Sequence, residues 1–152
     1  MYINRWLVNH ADFRPEKTAL ICADTDKRLS YADLLKETLA ACKTLQSHGV
    51  KKGDRVALFA QNDLRFFPLF FAAARLGAIT VPLNWRLSAP ELEQILADCD
   101  AKIMFIDGRF PADAVPSHKN TVHLDELLKA CLEQQSMNLP GSLSEPCYAL
   151  VG

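Results

Sequence analysis

Between Arg55 and Ile106 the chain alternates short apolar runs with longer segments of helical periodicity, and this alternation constrains the fold more than any other feature. Runs of strand length occupy residues 55–59, 79–83 and 102–106, and helical segments occupy residues 62–76 and 88–98. Strands that alternate with helices of this length pair in parallel through right-handed crossovers. The sequence therefore predicts an α/β fold, a Rossmann-like layer of parallel sheet with flanking helices.

Helix-start signals refine this prediction. Ser30 precedes a helical segment and has Asp33 three residues later, close to a capping box, and Ser88 with Glu91 forms a second S-x-x-E signal. Asn62 is positioned to cap the long apolar helix that ends before Gly77. We expect the strand at residues 79–83 to be buried, since nearly all of its side chains are apolar.

The remaining segments predict a smaller periphery around the layer. A helix is expected at residues 2–13, a hairpin at 19–29 and a helix at 125–134. Residues 136–146 are rich in Pro, Gly and Ser and read as a linker before a last strand at residues 148–151. The 152 residues suit one domain, which we interpret as partial because its last strand is cut short.

Composition excludes several classes of protein. The formal net charge is -1 and no basic block occurs, which argues against a nucleic-acid binder. No apolar stretch reaches the roughly 18 residues of a membrane span, and the first residues do not resemble a signal peptide. The five cysteines are scattered, without a C-x-x-C pair, so neither a disulfide framework nor a zinc site is expected, and a cytoplasmic location is.

Glycine spacing is the first test for a nucleotide site in an α/β layer. The six glycines form neither G-x-G-x-x-G nor G-x-x-x-x-G-K-[ST]. This nearly excludes a stand-alone dinucleotide or P-loop domain. No G-x-S-x-G elbow is present, and we expect no catalytic residue and no metal ligand in this chain.

The loop at residues 84–86 is the one candidate for ligand binding. It follows the carboxyl end of a predicted parallel strand, the edge at which open α/β sheets bind ligands. Arg86 in this loop can hold an anion, or it can pair with Glu91 or Glu93 on the surface. The residues alone leave both possibilities open.

A series of motifs in a fixed order resembles the start of the AMP-forming acyl-CoA synthetases, a superfamily that also includes nonribosomal-peptide adenylation domains and luciferase. The motifs are RPEKTAL at residues 14–20, LSYADL at 29–34, GVKKGDRVA at 49–57, QN at 61–62, LGAITVPLNWRL at 76–87 and EL at 91–92. No single motif is diagnostic. Their order and spacing make a chance match improbable.

The resemblance implies that the chain is the incomplete amino-terminal subdomain of the acyl-CoA synthetase fold, cut before the family's glycine-rich loop. Members activate a carboxylic acid with ATP and Mg²⁺ to an acyl-adenylate, from which CoA displaces AMP. Their catalytic motifs all match positions beyond Gly152. One binding role is carried over: the resemblance implies that Arg86 contacts a phosphate of CoA.

Three hypotheses follow. In the first, the chain is an amino-terminal fragment of an acid–CoA ligase for a long-chain fatty acid or similar carboxylate, inactive alone and binding no cofactor tightly. In the second, it is a non-catalytic interaction module that pairs with a separate chain supplying the missing part. A stand-alone nucleotide-binding domain is the third. Expected partners are the rest of the ligase chain, or a second copy bound through an exposed sheet edge.

Overall fold

The computed structural model describes residues 3–129, and it contains a four-stranded parallel sheet with helices on both faces. Helix α1 (Ile3–Phe13) leads into a hairpin of β1 (Thr18–Ile21) and β2 (Arg28–Ser30), which pair antiparallel. Helix α2 (Tyr31–Ser47) follows directly. The predicted helix and hairpin are thereby confirmed.

The four strands of the sheet and the helices between them follow α2. In chain order these elements are β3 (Arg55–Phe59), α3 (Phe66–Leu76), β4 (Ile79–Pro82), α4 (Ala89–Cys99), β5 (Ile103–Ile106) and β6 (Thr121–His123). The strand order is β4-β3-β5-β6, with every pair parallel. The chain moves from β3 to one side, forms β4, and returns past β3 to form β5. Strand order therefore reverses between β3 and β5, and the predicted Rossmann-like α/β layer is confirmed.

Two apolar cores lie on opposite faces of this sheet. Helices α2 and α3 cover one face, where their side chains pack against Val56, Leu58, Ile103 and Phe105. Helix α4 covers the other face through Leu92 and Leu96, which pack against Ala57, Phe59 and Met104. Burial on both faces explains why β3 and β5 are continuous apolar runs instead of alternating ones.

Capping side chains set the helix starts. Ser30 Oγ accepts a hydrogen bond from the Asp33 N–H (3.1 Å), and the Asp33 carboxylate accepts one from the Ser30 N–H (3.1 Å). At α4 the Glu91 carboxylate accepts from both the Ser88 N–H (2.9 Å) and the Ser88 hydroxyl (2.7 Å). Because these bonds satisfy backbone donors that a helix leaves free, both predicted starts are confirmed.

The apolar helix α3 starts later than its sequence suggests. Asn62 does not cap it, because residues 64–65 form a turn and the helix begins at Phe66. Asp63 organises this turn instead: its carboxylate accepts a hydrogen bond from the Arg65 N–H (2.8 Å). Pro68 consequently falls in the first turn, where a helix tolerates proline.

Two further expectations are wrong, and a third falls short. Strand β4 is not buried: it lies at the edge of the described sheet, and Ile79 is 54% exposed. The helical spacing of Leu92, Ile95 and Leu96 predicts that all three side chains face inward, but Ile95 is 36% exposed and only Leu92 and Leu96 are buried. The expected helix at residues 125–134 begins as a 3-10 helix (Leu124–Leu128), and its remainder lies outside the described residues.

The sequence did not predict β6 (Thr121–His123), because no element was expected at these three residues. The expected linker at residues 136–146 and strand at 148–151 lie outside the described residues. Within residues 3–129 no helix has the length and apolar character needed to cross a bilayer.

Candidate functional site

The carboxyl edge of the sheet gathers the loops that follow all four strands. In open α/β sheets a ligand-binding crevice forms at this edge, where strand order reverses. Here the reversal lies between β3 and β5, so the relevant loops are those at residues 60–65 and 107–110. The loop of residues 83–88 flanks them because β4 neighbours β3.

Two matching turns occupy the reversal point. In each, an aspartate follows a strand and binds the arginine two residues later: Asp63 with Arg65 after β3, and Asp107 with Arg109 after β5. The two carboxylates also accept hydrogen bonds from the N–H groups of the same arginines, at 2.8 Å and 3.1 Å. Sequence reasoning missed these four residues, although the repeated Asp-x-Arg after two neighbouring strands is a readable signal.

Ion pairs join the turns into one network. Arg65 grips Asp63 with two nitrogens, at 2.8 Å and 2.7 Å, and also pairs with Asp125 after β6. An Arg109 nitrogen lies 3.6 Å from the Asp63 carboxylate, which links the loops after β3 and β5. We call these five residues, including Asp107, the edge network. It ties together the loops that follow β3, β5 and β6.

Three charged side chains of the edge network are largely buried. The Asp63 and Asp107 side chains are 17% and 3% exposed, and the Arg65 side chain is 24% exposed. Hydrogen bonds from Arg65 hold the pKa of Asp63 below its usual range, even though burial opposes this shift. The same bonds raise the pKa of Arg65. Arg65 and Arg109 are therefore both paired with carboxylates and are poorly placed to bind an anion.

Beside the edge network lies an open, mostly apolar hollow of about 540 Å³. Its walls come from the ends of β3 and β4 and the start of α3, with the aromatic rings of Phe66, Phe67 and Trp85 and the polar side chains of Gln61 and Asn62. The volume falls in the range of small-molecule sites. The hollow was not predicted, because its walls come from segments that only the strand order brings together.

Arg86 stands at the rim of this edge, as the sequence predicts. Its guanidinium carbon lies 4.3 Å from the centroid of the Trp85 ring. The backbone N–H of Arg86 donates a hydrogen bond to the side-chain carbonyl of Asn84 at 3.1 Å. Trp85 is backed in turn by Phe110, with ring centroids 6.2 Å apart. The exposed guanidinium is therefore supported from below and open on its outer side.

The alternative of a surface ion pair for Arg86 is wrong. The Glu91 carboxylate binds Ser88, which lowers the pKa of Glu91, and the Glu93 carboxylate accepts from the Ser117 N–H at 2.9 Å. Neither forms an ion pair with Arg86. Arg86 consequently differs from Arg65 and Arg109: its charge is available to an anion.

The described residues fit a phosphate group of a cofactor but do not offer a site for Mg²⁺. An exposed arginine without a carboxylate partner fits a phosphate group. For Mg²⁺, no group of three or more carboxylate, histidine or cysteine side chains within residues 5–129 is arranged to hold a metal ion. The carboxylates of the edge network are bound to arginines instead.

Comparison with known proteins gives consistent similarities. The family model described as AMP-binding enzyme matches residues 7–146. The chain is 42% identical over 114 residues to an indoleacetate–CoA ligase of Aromatoleum aromaticum, covering 74% of this chain and 22% of the relative. It is 39% identical over 100 residues to the long-chain-fatty-acid–CoA ligase FadD13 of Mycobacterium tuberculosis, covering 65% of this chain and 20% of the relative.

Two solved structures of CoA synthetases superpose on this chain. A fatty acyl CoA synthetase of Mycobacterium tuberculosis superposes with a TM-score of 0.74 at 33% identity, over 85% of this chain and 28% of that one. An o-succinylbenzoate CoA synthetase of Bacillus subtilis, solved with ATP and a magnesium ion, gives 0.72 at 31% identity, over 82% and 33%. The chain spans about a fifth of the length of the indoleacetate–CoA ligase and of the long-chain-fatty-acid–CoA ligase that it matches.

Proposed function

This chain belongs to the family of AMP-binding enzymes, and we propose that it forms the amino-terminal part of an ATP-dependent, AMP-forming acid–CoA ligase. The observation that carries the proposal is the combination of family membership with Arg86, an exposed cation at the ligand-binding edge of the sheet. The relatives named above are CoA ligases, which supports CoA as the second substrate.

The proposed reaction has two steps. The carboxylate of the acid attacks ATP, forming an acyl-adenylate and releasing pyrophosphate. The CoA thiol then attacks the acyl carbon and AMP leaves. In the intact enzyme ATP would be the substrate that activates the acid in the first step, and Mg²⁺ would offset the negative charge of its phosphates. Within residues 5–129 no group of three or more His, Cys, Asp or Glu side chains is placed to hold that metal, so the proposed contribution of these residues is the scaffold and the contact to CoA.

Arg86 is the proposed contact to a phosphate of CoA. A guanidinium fork binds a phosphate through two parallel hydrogen bonds, and stacking on Trp85 restricts the orientations of that fork before binding. The adjoining hollow offers apolar walls next to this charge. The acid is proposed to be a fatty or aromatic carboxylate, in line with the substrates named for the relatives.

We expect Arg86→Ala to weaken CoA binding to this chain about tenfold, because one charge-assisted contact is lost. Isothermal titration calorimetry of CoA measures the effect. Lys119→Ala is the matched control: it also removes one exposed positive charge, but two residues before the start of β6, at the opposite edge of the sheet. Equal CoA affinity in the wild type and Arg86→Ala would remove Arg86 from the site.

A non-catalytic interaction module is the second candidate. The exposed apolar side chains of Ile79, Phe67 and Trp85 around β4 favour it, since such surfaces are commonly covered by a partner. The coding sequence after Gly152 separates the two candidates. A reading frame that continues into a Ser/Thr/Gly-rich loop supports the ligase, whereas a stop followed by unrelated sequence supports the module.

The cytoplasm is the proposed location. The three cysteines within the described part of the chain are free thiols, which suits a reducing compartment.

A further inference from the structure

The backbone around Arg86 is held by its neighbours in the loop of residues 83–87. Leu83 and Leu87, at the two ends of this loop, pack in the core between the sheet and α4. The Leu87 N–H donates to the Asn84 carbonyl at 3.0 Å, and the Arg86 N–H donates to the Asn84 side chain at 3.1 Å. These contacts fix the point from which the Arg86 side chain extends, but they do not fix the position of its guanidinium.

Three aromatic rings that contact one another in succession lie behind that guanidinium. Phe59, at the end of β3, is fully buried, and its ring centroid lies 4.4 Å from that of Phe110. The centroids of Phe110 and Trp85 are 6.2 Å apart, and the guanidinium carbon of Arg86 lies 4.3 Å from the Trp85 centroid. We call Phe59, Phe110 and Trp85 the ring series. It connects the core of the sheet to the exposed charge.

Phe110, in the middle of the ring series, comes from the loop after β5. At the start of this loop the Asp107 N–H donates to the Phe59 carbonyl at 3.0 Å, and the Arg109 N–H donates to the Asp107 carboxylate at 3.1 Å. Pro111 follows Phe110 directly, and a proline restricts the residue before it to extended backbone conformations. The loop therefore holds the Phe110 backbone from both sides, while the Phe110 ring packs against the core on the α4 face.

The ring series matters because the outer groups are the ones with freedom to move. Trp85 is 36% exposed and lies in a loop, so contact with Phe110 is what limits the orientations of its ring. The Trp85 face in turn attracts and orients the guanidinium of Arg86. Ordering a long side chain when a ligand binds costs conformational entropy, and a side chain that is ordered beforehand avoids part of that cost.

From these contacts we propose that Phe110 is a positioning residue for Arg86: it holds the Trp85 ring, and Trp85 holds the guanidinium ready for a phosphate. The effect on ligand binding rests on the proposed CoA contact, whereas the positioning itself is a property of the chain without ligand. The proposal also links the edge network to Arg86, because the turn formed by Asp107 and Arg109 carries Phe110.

NMR of the chain without CoA tests the positioning directly. Protons above an indole face are shifted upfield by its ring current, so the Hδ and Hε protons of Arg86 should resonate upfield of those of the exposed Arg28. Phe110→Leu keeps an apolar side chain but removes the ring, and it is expected to reduce this upfield shift by about half or more. Leu92→Val is the matched control, because it removes atoms from the same core but none from the ring series.

Phe110→Tyr separates the ring from other properties of the side chain. It keeps the ring beside Trp85 and is expected to retain most of the upfield shift of the Arg86 protons. The Phe105 amide signal, in the centre of the sheet, reports that each variant remains folded.

Isothermal titration calorimetry of CoA measures the consequence for binding. Phe110→Leu is expected to weaken CoA binding about threefold, less than Arg86→Ala does, because the charge remains and only its prior ordering is lost. Leu92→Val and Phe110→Tyr are expected to bind CoA as the wild type does.

An upfield shift of Arg86 that is unchanged in Phe110→Leu would overturn the proposal, whatever the CoA affinity. So would an equal loss of the shift in Leu92→Val or in Phe110→Tyr. Wild-type CoA affinity in Phe110→Leu, where Arg86→Ala does lose affinity, would also overturn it. Unchanged CoA affinity in Arg86→Ala removes the proposed CoA contact instead, and the spectra without CoA still decide whether Phe110 positions Arg86.

Discussion

Replacing Phe105 by alanine is expected to lower the free energy of unfolding by about 3–5 kcal/mol. The ring lies in the middle of the sheet on β5, is fully buried, and packs in the core between the sheet and helices α2 and α3. Its removal loses apolar contact area and leaves a cavity that close-packed neighbours cannot fill. A loss of this size is a large part of the about 5–15 kcal/mol that stabilises a typical domain.

Urea denaturation measures this difference, and Phe13→Ala is the matched control. Phe13 ends α1 and is 84% exposed, so the same substitution there should change the free energy of unfolding by less than about 0.5 kcal/mol. If the two variants were destabilised equally, the two-faced sheet with Phe105 at its centre would be wrong.

The second large effect concerns the edge network. Arg65→Met is expected to destabilise the fold by about 1–3 kcal/mol at pH 7, because the carboxylate of Asp63 loses its two-point partner while mostly buried. The matched control is Arg28→Met. Arg28 pairs with Asp26 on the hairpin, where both side chains are more than half exposed, and such pairs contribute little.

Lowering the pH should reduce the difference in free energy of unfolding between the wild type and Arg65→Met. Arg65 lowers the pKa of Asp63 in the folded state, so the pair stabilises the wild type above the unfolded pKa of about 4. That contribution is lost as pH falls through the lower, folded pKa. Urea midpoints at pH 7 and near pH 3 measure it. A gap that stays constant or widens in acid would show that the loss comes from packing and not from the charge pair.

The order of strands and helices in the layer could be predicted from the sequence for physical reasons. The apolar runs of β3 and β5 are long because both faces are buried, and the caps at Ser30 and Ser88 mark helix starts locally. The place of Arg86 followed from its position after a parallel strand. Each of these signals lies within a few consecutive residues.

What could not be predicted depends on strand order or on short segments. Strand β6 has three residues with only Val122 buried, too few to show a period. The exposure of β4 follows from its position at the edge of the described sheet, which hydrophobicity does not reveal. Likewise Arg65 and Asp125 are 60 residues apart in sequence, and only the sheet brings them together.

The most direct test of the central claim is ATP–pyrophosphate exchange by the 152-residue chain. The chain belongs to the AMP-binding enzymes, and its proposed contribution to an acid–CoA ligase is the scaffold and a contact to CoA, since no group of three or more His, Cys, Asp or Glu side chains within residues 5–129 is placed to hold a metal ion. We therefore predict no exchange above the acid-free background with fatty or aromatic acids, alongside a full-length acid–CoA ligase as positive control. Acid-dependent exchange by the purified chain would contradict this account.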